Sequence, residues 1–301
     1  MPLTRLEQEQ KLTSIMSKFI SLVSIKLPDD VQDKLETLAE QEEAPLAKEI
    51  YRTMEENQRL AWELKRPCCQ DTGVLQFFVT AGDHFPLLGS LKDILKDAVI
   101  DATEKTPLRH NIVETFQEYN TGLNVGEGTP SIFIDIKKDA SDAQIYTYMA
   151  GGGCTLPGTA TVLMPGEGYE GVVRFVLDRM TSYGLNACPP LLVGSGIGTS
   201  VETAALNSKL ALMRPIGSHN KDERAADLER RMEDGINKIG IGPQGFGGTN
   251  SVMGVNIVNT ARHPSTLAVA VNTGCWSHRR GLIHIDENLN YHILSHKGVE
   301  L

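Results

Sequence analysis

The sequence lacks the positive charge that a surface for nucleic acid or an anionic membrane would need. Its 301 residues include 29 Lys and Arg against 38 Asp and Glu, a formal net charge of −9 at pH 7. This balance gives no electrostatic attraction for polyanions. A small anionic substrate would therefore need a local positive site, made of Arg, a metal or backbone amides.

Signals for membrane insertion and export are also missing. We find no apolar run of about 18 residues and no N-terminal charged, apolar and small-residue pattern. We therefore expect a cytoplasmic protein. Hydrophobic residues make up 41% of the chain and charged residues 22%. A chain of this length and composition can bury a sizeable core, as one large domain or two modest ones.

Cysteine is scarce and is not spaced as in a disulfide framework or a zinc finger. The cysteines are Cys68, Cys69, Cys154, Cys188 and Cys275. An odd number of widely spread cysteines in a long chain without an export signal predicts thiols. The C-x-x-C spacing of zinc fingers and ferredoxins is absent. Spacing alone favours buried structural thiols over a shared metal site.

The N-terminal portion, residues 1–66, is predicted to be helical. Thr4 and Glu7 have the spacing of a capping box. The apolar residues that follow recur every three or four positions, as on one buried helix face. They are Leu12, Ile15, Met16, Phe19, Ile20 and Val23. A further helix should end near Arg66, because Pro67 disfavours helix in the residue before it.

Residues 67–301 are predicted to form a catalytic domain of alternating short strands and helices, so that the fold class is mixed α/β (α+β). This domain and residues 1–66 are expected to form one continuous structural unit. The predicted strands are 74–79, 131–136, 144–149, 191–193, 252–258 and 267–271. The predicted helices are 90–102, 169–180, 200–212 and 222–239.

Polar residues accompany two of the cysteines. Gln70, Asp71 and Thr72 directly follow Cys69, and an Arg262-His263 pair lies shortly before Cys275. A second basic pair, Arg109-His110, lies in a polar loop. Arg can hold a carboxylate through two parallel hydrogen bonds, and glycine turns present backbone N–H groups to oxyanions. The grouping suits a site for a small dicarboxylate.

Two glycine runs allow more than one interpretation. The run Gly194-Ser195-Gly196-Ile197-Gly198 is similar to a dinucleotide-binding turn, but Thr199 stands where its third glycine would fall. A plain strand-to-helix turn, with Ser200 as the N-cap of the next helix, is favoured. The run Gly151-Gly152-Gly153 could be a flexible turn or an amide nest for a carboxylate.

Taken in order, the motifs resemble a known family. CQDTG, NTG, GGG, ACPP, GPQGFGG, ARHPST and NTGC resemble the class I (iron–sulfur) fumarase and tartrate dehydratase family, over about residues 45 to 285. Within that family, MAGGGCTLPG and VNTGCWSHRRG are more similar to the tartrate dehydratase branch. The resemblance implies a hydro-lyase (carbon–oxygen lyase) with the mixed fold of the N-terminal domain of class I fumarases.

The resemblance also implies a cofactor and its ligands. It implies a 4Fe–4S cluster with one open iron, held by Cys69, Cys188 and Cys275. Cys68 and Cys154 have no ligand counterpart in the family. An iron with a free coordination position would act as a Lewis acid on a 2-hydroxy acid.

The substrate residues implied by the family motifs are Gln70, Asp71, Arg109, Gly153 and His263. Among them, Asp71 and His263 are the expected catalytic residues, with Asp71 assisting proton transfer. The spacing between Arg109 and the NTG motif differs from that in fumarases. Dehydration of tartrate would give an enol that becomes oxaloacetate, whereas dehydration of malate would give fumarate.

The sequence stops at Leu301 without the motifs of a second fumarase domain. The resemblance therefore implies a separate β subunit that completes the active site in an α2β2 heterotetramer. That subunit could also carry the proton-abstracting base. Three alternatives stay open: an α subunit acting on malate and fumarate, a nucleotide-binding oxidoreductase that uses the Gly194–Gly198 run, and a zinc hydrolase with Cys and His ligands.

Overall fold

A computed structural model describes residues 3–301 of the chain. These residues divide into two compact units, each built from separate stretches of sequence. Unit 1 contains the described residues of Met1–Asp29 together with Asn57–Gly151 and Arg279–Leu301. Unit 2 contains Asp30–Glu56 and Gly152–His278.

Helices and strands alternate after a helical N-terminal region, as the mixed fold class predicts. The helices are α1 (Arg5–Ile25), α2 (Asp29–Gln41), α3 (Pro45–Leu64), α4 (Leu91–Lys105), α5 (Gly152–Thr155), α6 (Gly168–Tyr183), α7 (Val201–Met213) and α8 (Glu223–Ile239). The strands are β1 (Val74–Gly82), β2 (Val113–Glu114), β3 (Tyr119–Asn120), β4 (Ser131–Lys137), β5 (Ala143–Ala150), β6 (Thr159–Leu163), β7 (Leu191–Gly198), β8 (Val252–Asn259), β9 (Leu267–Gly274), β10 (Arg280–Ile285) and β11 (Tyr291–Ile293).

Unit 1 is built on a five-stranded sheet of order β11-β10-β5-β1-β4. β1 and β4 are parallel, whereas the other neighbours are antiparallel. The apolar faces of α1 and α4 pack with the buried residues of this sheet in one core. The predicted stripe of α1 is confirmed, because all six of its residues are buried. The Thr4–Glu7 capping box is formed as well, with hydrogen bonds in both directions.

Unit 2 is built on a four-stranded sheet of order β6-β9-β7-β8, in which β7 and β8 are parallel. Because strand side chains alternate between faces, the large residues of β7 and β9 point to one side. There they form a core with α6 and α8. The opposite side carries small residues, including Ala268 and Ala270, and packs against Ala204 of α7.

The Gly194–Gly198 run is part of strand β7, so the prediction of a strand-to-helix turn there is wrong. These glycines face α7 rather than a ligand. A side-chain carbon at Gly194 would collide with the Ser208 carbonyl oxygen, and one at Gly196 with the Ala204 carbonyl oxygen. The absence of side chains lets the helix approach the sheet closely. The feature that suggested a dinucleotide turn is therefore a packing feature.

The remaining predicted elements are found. β7 is predicted only over 191–193 but extends over Leu191–Gly198, because its glycines were interpreted as a turn. Ser200 is the N-cap residue of α7, as expected. α3 ends at Leu64, close to the predicted position. Along residues 3–301, none of the helices combines the length and the apolar character that crossing a bilayer requires.

Candidate functional site

The loop that follows α3 places its two neighbouring cysteines differently. The Cys68 N–H donates to the Ser24 carbonyl at 2.9 Å, and Asn57 Nδ2 donates to the Cys68 carbonyl at 2.7 Å. These bonds hold Cys68 inward, where it is 3% exposed. Cys69 is half-buried. The structure therefore gives the two thiols different access to solvent.

Gln70 and Arg109 come together on the exterior of unit 1. Arg109 Nη1 donates to Gln70 Oε1 at 3.2 Å, and the Arg109 backbone N–H donates to Thr72 Oγ1 at 3.0 Å. Thr72 is buried, so its hydroxyl anchors the arginine-bearing loop to the start of β1. Both the Gln70 and the Arg109 side chains are exposed. Two of the predicted substrate residues are thus neighbours.

One carboxylate oxygen of Asp71 accepts hydrogen bonds from two donors. Its Oδ1 accepts from the Gly73 N–H at 3.1 Å and from Asn111 Nδ2 at 3.0 Å. Asn111 Nδ2 also donates to the Gly73 carbonyl at 3.1 Å. No sequence motif marks Asn111. Its position two residues after Arg109 was the available signal.

In unit 2, the segments that carry Cys188 and Cys275 are neighbours. The N–H of Trp276, the residue after Cys275, donates to the Cys188 carbonyl at 3.0 Å. Cys188 ends a short 3-10 turn with a left-handed backbone (φ 56°). This conformation is uncommon for a residue other than glycine. The Cys188 side chain is exposed and Cys275 is half-buried.

Gly153 belongs to the same group in unit 2. A side-chain carbon at this position would lie 2.9 Å from the Asn186 carbonyl oxygen and 4.0 Å from Cys188 Sγ. Any larger residue would therefore push against the turn that carries Cys188. Gly152–Thr155 form the short helix α5 rather than the flexible turn considered for this glycine run.

Cys154 is packed into the interior of unit 2, where it is 5% exposed. Its carbonyl accepts a hydrogen bond from Thr273 Oγ1 at 2.7 Å. The ammonium of Lys209 lies in the electrostatic range of Cys154. Burial lowers the pKa of Lys209, and Cys154 acts in the opposite direction. These contacts describe a structural position.

The structure does not bring His263 to Cys188 and Cys275. His263 follows the C-terminal end of β8, which pairs with the Ile197 end of β7. Cys188 and Cys275 flank the other end, where Leu191 pairs with Val252 and Leu192 with Gly274. Because a strand rises about 3.3 Å per residue, the two ends are about 20 Å apart. His263 is exposed, and its Nδ1 accepts from the Ser265 N–H at 3.1 Å.

The donor chemistry of Cys69, Cys188 and Cys275 suits an iron–sulfur group. All five cysteines of the chain are thiols, and thiolates are the ligands that such clusters require. These three thiols are half-buried or exposed, while Cys68 and Cys154 are buried. A thiol that binds a cluster must be reachable by it, so the pattern of burial fits the ligand set implied by the motifs.

Comparison with known proteins gives the family. The family model described as fumarate hydratase (fumerase) matches residues 13–284. The chain belongs to the fumarate hydratase family. This confirms the resemblance seen in the ordered motifs.

Relatives of this fumarate hydratase family member carry a more specific name. The chain is 56% identical to the L(+)-tartrate dehydratase subunit alpha of Escherichia coli (strain K12), over 95% of this chain and 94% of the relative. The protein of the same name from Shigella sonnei (strain Ss046) is also 56% identical over the same shares. A putative L(+)-tartrate dehydratase subunit alpha from Methanocaldococcus jannaschii is 34% identical, over 91% of this chain and 98% of the relative.

Proposed function

We propose that this chain is the catalytic α subunit of an L(+)-tartrate dehydratase, which removes water from L(+)-tartrate to give oxaloacetate. The observation that carries the proposal is the 56% identity, over nearly the full length of both chains, to α subunits of that name. The MAGGGCTLPG and VNTGCWSHRRG segments support it. The reaction class is that of a hydro-lyase, in keeping with the fumarate hydratase family.

Cys69, Cys188 and Cys275 are the proposed ligands of a 4Fe–4S cluster. Their partial or full exposure supports this choice, as does the burial of Cys68 and Cys154. When bound, the cluster would supply a Lewis-acidic iron with a free coordination position, to polarise the hydroxyl and one carboxylate of the substrate. The Trp276–Cys188 hydrogen bond holds two of the ligand-bearing segments in register.

Gln70, Arg109 and Gly153 are the proposed substrate-binding residues, together with Asp71. The Arg109 guanidinium would bind a substrate carboxylate, because its planar fork matches two carboxylate oxygens. Its hydrogen bond to Gln70 orients the fork. Gly153 lies next to Cys188, where a side-chain carbon would press against the Asn186 carbonyl oxygen of the turn that carries this cysteine.

Asp71 is the proposed group for moving or holding a proton at the substrate. Its Oδ1 is held by Asn111 and Gly73, so the carboxylate has a defined orientation. A fixed orientation favours proton transfer because the reacting atoms need to be aligned before reaction. His263 lies at the opposite end of its own sheet from Cys188 and Cys275. The catalytic role of His263 therefore stays a prediction.

A β subunit is the proposed partner. The relatives are named as alpha subunits, and this chain spans almost their entire length. We propose a cytoplasmic α2β2 assembly in which the β subunit supplies further substrate-binding groups and, with them, the proton-abstracting base. The net charge of −9 gives no reason to expect a nucleic-acid or membrane partner.

The experiment that tests this function is a substrate comparison under anaerobic conditions. The chain is co-expressed with a candidate β chain, and oxaloacetate formation from L(+)-tartrate is measured beside fumarate formation from malate. A higher kcat/KM with tartrate supports the proposal. A preference for malate would replace it with the second candidate, an α subunit of a two-subunit fumarate hydratase, which the matching family model favours.

A further inference from the structure

Three segments of unit 1 converge at one edge of its sheet, although they are far apart in sequence. Asp71 lies just before β1, Gly151 directly follows β5, and Arg279 directly precedes β10. The strand register explains the meeting, since Val74 of β1 pairs with Ala150 of β5. The Met149 N–H, in turn, donates to the Arg279 carbonyl at 3.0 Å. Arg279 is therefore anchored beside the end of β5.

Gly151 lies next to the side chains of both Asp71 and Arg279. A side-chain carbon added to Gly151 would lie 3.0 Å from Asp71 Oδ2 and 3.8 Å from Arg279 Nη2. The carboxylate and the guanidinium thus occupy the space next to the same backbone atom. The φ angle of Gly151 is outside the left-handed range. Glycine is required here for space rather than for its backbone conformation.

The two oxygens of Asp71 have different surroundings. Oδ1 accepts hydrogen bonds from Asn111 Nδ2 and the Gly73 N–H. Oδ2 lies next to Gly151, on whose side the Arg279 guanidinium is also found. Arg279 is only 1% exposed. Its guanidinium stays positively charged at ordinary pH, so a full charge is buried here. Burying such a charge is costly unless an anion compensates for it. Asp71 is a carboxylate in the right place to do so.

We propose that Arg279 is a positioning residue for Asp71. Its guanidinium fixes the orientation of the Asp71 carboxylate at Oδ2, while Asn111 holds Oδ1. The family motifs do not give Arg279 a role. Asn111 and Arg279 then hold one oxygen each, and Gly151 provides the room between the charged groups. The inference rests on the proposed function, because the orientation of Asp71 affects turnover only if Asp71 faces substrate.

The kinetic test uses the α–β complex with L(+)-tartrate. Arg279→Gln should lower kcat by about 100-fold with little change in KM, which is the size of effect that a displaced catalytic group can cause. Arg279→Lys keeps the positive charge and should recover part of the loss. If Arg279 bound the substrate directly, Arg279→Gln would instead raise KM, and the proposal would be wrong.

A second variant keeps the proposal testable if Arg279 variants fail to fold. Gly151→Ala leaves both charged groups in place but crowds them, so it should also lower kcat while KM changes little. Gly89→Ala is the matched control in the same unit, because nothing lies within 4 Å of a side-chain carbon there. Full activity of the Gly151→Ala variant would overturn the proposal.

A thermal melting comparison needs no activity and so separates this inference from the proposed function. Asp71→Asn, Arg279→Gln and the double variant are melted as purified full chains. If the two residues act on each other, the double variant should melt no lower than the less stable single variant. If the losses of melting temperature in the two single variants add up in the double variant, the pairing is refuted. If they do not add up and the protein nevertheless fails to dehydrate tartrate, the pairing stands and the proposed function is rejected.

Discussion

The backbone N–H of Trp276 donates a 3.0 Å hydrogen bond to the carbonyl of Cys188. This bond joins the turn before β7 to the turn after β9, whose strands pair throughout their length. Two thiols that are far apart in sequence are therefore presented at one end of a single sheet. The metal chemistry proposed for this chain depends on that arrangement.

Replacing the cysteines one at a time should separate ligands from structural thiols. We expect Cys69→Ser, Cys188→Ser and Cys275→Ser each to lose bound iron and acid-labile sulfide, because each removes a thiolate ligand. Cys68→Ser and Cys154→Ser are the matched controls and should keep both. Iron and sulfide are measured after anaerobic purification. If Cys68→Ser lost the cluster while Cys69→Ser retained it, the assignment of the neighbouring thiols would be reversed.

Gly196→Ala should destabilise unit 2 by about 1–3 kcal/mol, the usual cost of forcing extra volume into a packed interior. The added carbon would collide with the Ala204 carbonyl of α7. Gly254→Ala in neighbouring β8 is the control, since its added carbon meets Leu192 Cδ1 at 3.8 Å, an ordinary contact. Urea unfolding measures both. Equal stability of the two variants would show that close packing of α7 does not require the glycine.

The buried His296 should make the folded chain less stable in mild acid. Burial lowers the pKa of His296 from 6.5 to about 4. The hydrogen bond to the Lys26 carbonyl and the charge of Asp29 oppose this shift, while the charges of Lys26 and Arg280 add to it. The unfolded chain therefore binds more protons between these pH values. The resulting stabilisation is complete above pH 6.5 and is lost as the pH falls towards 4. The free energy of unfolding should fall by roughly 3 kcal/mol across this pH range, because one pKa unit corresponds to about 1.4 kcal/mol.

The measurement for His296 is the free energy of unfolding against pH for the wild type and His296→Gln. Other acidic groups titrate in the same range, so the difference between the two curves is the informative quantity. The wild-type curve should fall more steeply between pH 6.5 and 4. Parallel curves would mean that His296 is protonated in the folded state as easily as in the unfolded chain.

Much of the fold could be predicted because it depends on local patterns. The stripe of α1 and the β-branched run of β8 carry their periodicity in adjacent residues, and both elements form where expected. The sequence pattern does not predict strand β10, because the strand begins with Arg280-Gly281 and lacks a continuous apolar run. β7 was predicted too short because its glycines serve a packing contact with a helix that the local sequence does not reveal.

The site was predictable to the extent that its residues lie in motifs. Gln70, Asp71 and Arg109 follow or flank recognisable segments, and the structure places them together. The contribution of Arg279 could not be predicted, because its proximity to Asp71 follows from the register of β1, β5 and β10. His263 shows that closeness in sequence does not give closeness in the fold. It is close to Cys275 in sequence, yet β9 extends between them.

The proposed dehydration of tartrate depends most directly on an iron–sulfur cluster bound by this chain. Iron, zinc and acid-labile sulfide are measured together in wild-type protein that has been purified without oxygen. We predict brown protein with iron and a matching amount of sulfide, together with dehydration of L(+)-tartrate in the presence of the β chain. Zinc alone, without sulfide, would contradict the account.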